Sequence, residues 1–472
     1  MKGKGTCTAQ AIVLKGYDSL GRKNQFVGMK DLTKGKILKV LLQFALPVFI
    51  GNLFNLAYNL ADTRIIGSFL GRDSLAAVGS VSTLSDLIVS FVFGLSNGFA
   101  VLTARFFGQK SEDKVRKNFA LSLEFGIIIS LILTAGSLVG LDGLFKWLNV
   151  MDVHKAEASA YITIVIYGLV FSCIYNVLAS SLRAIGDAYT PLFFLILSAL
   201  LNLGLDILFV GGLKTGVAGA AFATVISQVL AAILCFVYAL VRYPIFRFRA
   251  GDLLPTREFT GQLLSGGFSM GLMSSLVAFG TLSLQTAINR LGTNIIVAHT
   301  GTRKLTNLFM LPFGVFGTTM ATFCGQNYGA NRMDRIKEGI RTAFIINVIW
   351  IALVQIVSWT VCPVLIKAIT AVDTKEVIDN AVLYQRFDTS FYVIAAMVTL
   401  FRNSLQGMGD HITPVISSGL ELAGKVLVAF LLTPMLAYWG IIIAEPIVWT
   451  VMVIPLIISL VYRLRRSGKA EA

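Results

Sequence analysis

Charge is scarce in this chain: Asp, Glu, Lys and Arg supply only 14% of its residues, against roughly 25% in an ordinary soluble domain. That scarcity excludes a water-soluble fold. Histidine is limited to His154, His299 and His411, and no HExxH or similar ligand spacing occurs, so no metal site is expected. Five cysteines, Cys7, Cys173, Cys235, Cys324 and Cys362, are scattered without a CxxC pair. They read as apolar filling rather than a disulfide framework. The chain lacks a Walker A loop and a GxSxG turn, which removes ATP as an energy source within it and disfavours an intramembrane enzyme. Residues 1–35 are too polar for the apolar core of a signal peptide, so cleavage is not expected.

What the chain has instead is apolar length. Hydrophobic residues make up 56% of it, in runs of about 20 or more that can cross about 30 Å of hydrocarbon. Such runs lie near 38–66, 74–106, 117–141, 157–180, 190–211, 215–242, 262–290, 295–324, 339–369, 380–405, 412–433 and 438–462. Short alternating segments of the β-barrel kind are absent, which leaves an all-α integral membrane protein of twelve transmembrane helices. The net charge of +15 does not call for nucleic acid, because the basic residues follow topology. With the N-terminus inside, 28 Lys and Arg fall on cytoplasmic segments, including Arg183 and Arg402, and eight on the opposite side. That asymmetry puts both termini in the cytoplasm of a cell-membrane protein. The basic tail, 1–35, is expected to be a solvated flank that can meet anionic lipid.

One run contains an acid. In PVFIGNLFNLAYNLADTRIIGSFLG, residues 47–71, Asp62 stands among apolar neighbours, Tyr58 precedes it by one helical turn, and Pro47 marks a possible kink. A carboxylate at membrane depth costs several kcal/mol, so it is expected to face the bundle interior. Asn202 and Asp206 form a second such group, spaced i,i+4 on one helical face. Two carboxylates close together in a low dielectric cannot both stay ionised, which makes the pair a proton carrier. The oxygens of Asp62, Asp206, Asn202 and Thr224 equally suit a hard cation such as Na⁺.

The chain also repeats itself. SSLRAIGDAYTP at 180–191 returns as NSLQGMGDHITP at 403–414, GQ at 108–109 as GQ at 325–326, and Leu70-Gly71 as Leu291-Gly292. These landmarks imply two six-helix lobes related by an internal parallel repeat. They divide the chain into a tail at 1–35, a first lobe at 36–242, a linker at 243–261, a second lobe at 262–462 and a tail at 463–472. Asp187 and Asp410, in the repeated turns, are placed to cap helices.

PVFIGNLFNLAYNLADTRIIGSFLG, LAAVG at 75–79, GLSNGFAVLTARFFGQ at 94–109 and the doubled SLxxxGD turn together resemble the multidrug and toxic compound extrusion (MATE) family, with a lean toward its DinF-like branch. The resemblance covers about 36–462. It implies a V-shaped two-lobe bundle that exports organic, often cationic, compounds by H⁺ or Na⁺ antiport. The DinF-like ion site implied by it maps onto Asp62, Asn202, Asp206 and Thr224, with Tyr58 alongside and Pro47 at the kink. The second lobe matches less well: 265–280 lacks the glutamate of the NorM-like branch, although Asp388 falls where that branch keeps an aspartate. Glu421, Glu445, Arg303, Lys304, Arg386 and Lys425 surround Asp388 as a nearly balanced set, a poor place to couple an ion. Met270, Met273, Met310, Met320 and Met397 are candidates to line an adaptable cavity.

The reading is an exporter of lipophilic cations that works by alternating access, is embedded in lipid as a monomer, and needs no cofactor beyond H⁺ or Na⁺. A lipid-linked precursor flippase, kept open by Arg303 and Lys304, and a receptor or scaffold are the alternatives. Single cysteines at Lys15, Arg249 and Ser467 should resist a membrane-impermeant label applied to intact cells. Labelling of any one would overturn the topology.

Overall fold

Backbone in hydrocarbon has no water to bond with, so each apolar run must satisfy its own N–H and C=O groups. Every run is helical in the computed structural model, which describes residues 30–147 and 150–470; Cys7 and residues 1–29 of the basic tail lie outside these. No strand occurs among the described residues.

Among the described residues, eleven helices are long and apolar enough to span a membrane. The first six are Ile37–Gly71, Asp73–Gly108, Glu112–Val139, Asp152–Ala184, Tyr189–Gly212 and Gly216–Arg242. After a linker come Arg257–Ile288, Thr293–Gly329, Met333–Thr360, Thr413–Leu436 and Tyr438–Arg466. The remaining crossing, tenth in order, is made by Lys375–Ser390 and Tyr392–Gly407 meeting at Phe391. Each half has 16 residues, about 24 Å, too short to cross alone. Thr389 and Ser390 donate their hydroxyls to the Arg386 carbonyl at 3.2 and 2.9 Å just before the break, a bonding habit that bends helices. The helix bearing Pro47 keeps helical dihedrals across it, and the one non-helical residue of the first two spans is Gly71.

The duplication is visible in the backbone. Left-handed residues recur in matching places of the two halves: Gly71 and Gly292, Lys110 and Asn331, Gly186 and Gly409, Lys214 and Ala437. A π-helical turn at Ile207–Gly212 likewise has its counterpart at Val428–Leu432. This register corrects one landmark. Gly108 corresponds to Gly329 rather than Gly325, and the two make the same contact across the lobes. A Cβ on Gly108 would sit 1.9 Å from the Gln326 carbonyl oxygen, and one on Gly329 would sit 2.0 Å from that of Arg105. Only glycine permits this backbone approach, which suits a membrane bundle, where close packing replaces the hydrophobic effect. Leu38, Ile132, Val241 and Ile454 are among the large apolar side chains left exposed, as a lipid-facing surface requires.

A short strap ties the lobes at the linker end. The Leu32 N–H donates to Gln326 Oε1 at 2.9 Å, Gln326 Nε2 donates to the Ala184 carbonyl at 2.7 Å, and Arg335 donates to the carbonyls of Gly35 and Leu32 at 3.0 and 3.2 Å. Nearby, Ile245 and Phe246 of the linker are buried and Asp252 pairs with Arg116 at 2.7 Å.

The repeated aspartates cap helices. Asp187 accepts from the backbone N–H groups of Tyr189 and Thr190 at 3.1 and 3.0 Å, and Asp410 from those of Ile412 and Thr413 at 3.2 and 3.0 Å. Asp410 also accepts from Ser459 at 2.7 Å and pairs with Arg463 at 3.3 Å. Burial opposes its charge, yet the Ser459 and Thr413 hydrogen bonds and the Arg463 guanidinium hold its carboxyl below the usual range. A folded-state value below the unfolded one stabilises the protein above the unfolded value, near pH 4, and the gain is lost as pH falls through the folded value. Asp410→Ala should therefore cost about 1–2 kcal/mol at neutral pH, with a gap to the parent that narrows in acid, read by thermal unfolding in detergent.

Candidate functional site

Three spans of the first lobe bring the predicted polar residues together. Asp62 comes from the first, Asn202 and Asp206 from the fifth, and Thr224 from the sixth. The i,i+4 spacing puts Asn202 and Asp206 on one inward face, where they are 1% and 0% exposed. The chain changes from α to π geometry directly after Asp206, a local widening often found at functional positions.

The side-chain amide of Asn202 satisfies both its ends when its NH₂ donates to Tyr58 Oη at 2.8 Å and Asp206 Oδ2 at 3.0 Å while its carbonyl accepts from the Thr224 N–H at 3.0 Å. Assignment from the hydrogen-bond network thus fixes its orientation. The Asp62 and Asp206 carboxyls lie within hydrogen-bonding range of each other. Asp62 Oδ1 and Asp206 Oδ1 are nevertheless buried without a donor. A proton held between the two groups supplies what both lack.

Two details differ from the sequence reading. Tyr58, one turn before Asp62 and so expected from the sequence to bond its carboxylate, instead turns its hydroxyl to Asn202 and Thr224 on other spans. Asn202 turns its carbonyl toward backbone, which withdraws that oxygen from the set available to a Na⁺ ion. Tyr161 of the fourth span, missed in the sequence, stands within electrostatic range of both acids. Its hydroxyl in an otherwise apolar run, YITIVIYG, was the available signal.

The second lobe holds a ladder of ion pairs. Arg303 Nη1 lies 3.6 Å from Glu445 Oε1, Lys425 Nζ bridges Glu445 Oε1 and Glu421 Oε1 at 3.3 and 2.9 Å, and Arg402 Nη2 reaches Glu421 Oε2 at 3.3 Å. Arg402 was counted with the cytoplasmic basic residues, but it is 8% exposed and belongs to this ladder. Arg386 lies apart, donating to the Ser358 and Trp359 carbonyls at 3.3 and 3.2 Å. Asp388 also departs from expectation: it is fully buried and in no ion pair, with the Tyr392 hydroxyl within hydrogen-bonding range of its carboxyl. Of the two bases that keep the flippase alternative open, Arg303 pairs with Glu445 and Lys304 is exposed.

The MatE family model matches residues 47–208 and 270–439, most of both lobes. The chain belongs to the MATE family. It is therefore a membrane transporter and not an enzyme. Among curated proteins it is 28% identical over 315 residues to the probable multidrug resistance protein YpnP of Bacillus subtilis, covering 65% of this chain and 68% of that one. It is 22% identical over 422 residues to the multidrug export protein MepA of Staphylococcus saprophyticus, covering 88% and 92%. A MATE crystal structure in a bent conformation superposes with a TM-score of 0.86 at 23% identity, covering 93% of this chain and 98% of that one, and shares the two-lobe fold.

In this MATE protein the ladder and Asp388 should respond differently to loss of charge. Glu421→Gln leaves Arg402 without its counter-charge and Lys425 with Glu445 alone, and should cost about 3–5 kcal/mol. Asp388→Asn breaks no ion pair and keeps an oxygen for the Tyr392 hydroxyl, and should cost under about 1 kcal/mol. Thermal unfolding of the two purified variants makes the comparison.

Proposed function

We propose that this protein is a multidrug exporter that moves lipophilic organic cations out of the cell in exchange for protons, with Asp62 and Asp206 sharing the transported proton. The observation that carries the reading is the facing pair of buried carboxyls whose Oδ1 atoms find no protein donor. Asn202 holds Asp206 in place, Thr224 fixes the Asn202 amide, and Tyr58 closes the cluster. A proton suits this arrangement better than Na⁺ because the amide carbonyl is already engaged.

Cation preference follows from charge. Asp62, Asp86, Glu124 and Asp206 lie in the spans of the first lobe, so a lipophilic cation gains both apolar burial and attraction there. The names of the B. subtilis and staphylococcal relatives agree with drug export. Protonation from outside biases the lobes toward substrate release, since a ligand shifts a conformational equilibrium only by its unequal affinity for the two states. The protein works as a monomer in the cell membrane, with both ends in the cytoplasm as the basic residues dictate.

Groups that act as one unit lose function together. Asp62→Asn, Asp206→Asn and the double variant should each abolish pH-gradient-driven ethidium uptake into inverted vesicles, with no added loss in the double. Asp388→Asn should keep most of its activity. Coupling retained in Asp206→Asn, or lost only in Asp388→Asn, would move the site to the other lobe. A Na⁺ gradient that drives uptake without a pH gradient would replace the proton as the exchanged ion.

A further inference from the structure

The two halves differ at one matching place near the linker. In the first, the strap is seated: a Cβ on Gly186 would lie 2.0 Å from the Lys30 carbonyl oxygen, and Gln326 of the eighth span is bonded to both Leu32 and Ala184. In the second, the counterparts of Gly186 and Gln326 are Gly409 and Arg105. The linker ahead of the seventh span reaches Arg116 of the third, much as the strap reaches Arg335 of the ninth, but it makes no bond to Arg105. Arg105 Nη1 packs against Gly409 instead, 2.7 Å from where a Cβ would stand, and the guanidinium lies over the Tyr328 ring at 5.1 Å.

A pocket of about 760 Å³ remains where the second strap would close. Its wall is made by Arg105 of the first lobe, by Arg257, Glu258, Gln262 and Ser265 of the seventh span, and by His411 in the repeated turn. Arg105 Nε and His411 Nδ1 are buried and have no hydrogen-bond partner. The acid in the wall, Glu258, is exposed and stands next to Arg257, and Asp410 nearby is already paired with Arg463 at 3.3 Å. Among the described residues Arg105 is in no ion pair, so the wall keeps a positive charge that the protein does not answer.

The fold does not require that charge, since neutral Gln326 fills the matching position of the repeat. A guanidinium drawn from water without a counter-charge is costly unless a ligand supplies one. Donors that approach from two lobes and from several directions suit the tetrahedral oxygens of a phosphate better than a planar carboxylate. The basic residues assign this end of the molecule to the cytoplasm, where pockets of this kind between spans meet anionic headgroups.

We propose that the pocket binds a phosphate group, on an anionic lipid or free in solution, and that the group bridges Arg105 of the first lobe and Arg257 of the second. A ligand held by both lobes favours the arrangement in which they touch here, because it binds that arrangement more tightly than one in which they part. The inference depends on neither the exported compound nor the exchanged ion.

Calorimetric titration of the purified protein in detergent, at constant ionic strength, tests it with two probes: inorganic phosphate and dihexanoyl phosphatidic acid, with dihexanoyl phosphatidylcholine as the control. The parent should bind at least one of the two anions saturably and more tightly than the control. Arg105→Gln, which installs the residue of the repeat, and Arg257→Gln, at an exposed position, should each weaken that binding by about tenfold, the range of a lost charge-assisted hydrogen bond. Lys337→Gln, at an exposed basic position of the ninth span, should leave it unchanged. Binding of inorganic phosphate identifies a soluble ligand, and binding of the lipid alone identifies a headgroup. No saturable binding of either anion, equal affinity for the phosphatidylcholine, full affinity in either arginine variant, or an equal loss in Lys337→Gln overturns the site. Should Arg105→Gln fail to fold, Arg257→Gln decides by the same criterion.

Discussion

A carboxyl group at bilayer depth must find a donor, a cation or a proton, and the first lobe holds two neighbouring carboxyls that each keep one buried oxygen without a donor on the protein. The remaining features of the cluster serve that condition. The spacing of Asn202 and Asp206 aims both inward, the π-helical turn widens the helix behind Asp206, and the Asn202 amide joins Asp206, Tyr58 and the backbone of Thr224. Filling every lone pair from the protein would have made a static hydrogen-bonded core. Leaving two buried oxygens without a protein donor makes a site that differs between protonated and ionised forms.

The second lobe shows the opposite solution to the same problem. Glu421 and Glu445 are each shared between two bases, so their charges are neutralised by the protein itself and need no exchange with solvent. A closed network of this kind fixes helices relative to one another and is costly to open. Asp388 sits beside it without joining it. The pseudo-symmetric backbone therefore carries asymmetric chemistry: the first lobe leaves Asp62 and Asp206 each with a buried oxygen that has no protein donor, and the second ties Glu421 and Glu445 to fixed cations.

Much of this was legible in the sequence because lipid imposes simple rules. Run length gave the spans, the repeated SLxxxGD turn gave the duplication, and intramembrane acids at helical spacing marked a cluster whose members the structure brings together. The losses came where a position in a helix does not reveal a partner. Arg402 and Arg183 lie near span ends and read as surface residues, but helix packing turns one onto Glu421 and the other into a cavity between the lobes. Tyr58 is one turn from Asp62 in sequence, yet its long side chain reaches to the fifth and sixth spans. The GQ repeat misled because identical dipeptides need not be equivalent: the close approach of Gly108 and Gly329, not the letters, sets the register.

The claim that one proton is shared by Asp62 and Asp206 and exchanged for substrate is tested most directly by counting protons on binding. Calorimetric titration of a lipophilic cation into the purified protein, repeated in buffers of different ionisation enthalpy, gives the number released per ligand bound. The account predicts release of about one proton per cation near neutral pH, and none in Asp206→Asn. Binding that releases no proton from the parent, or the same number from the variant, would contradict it.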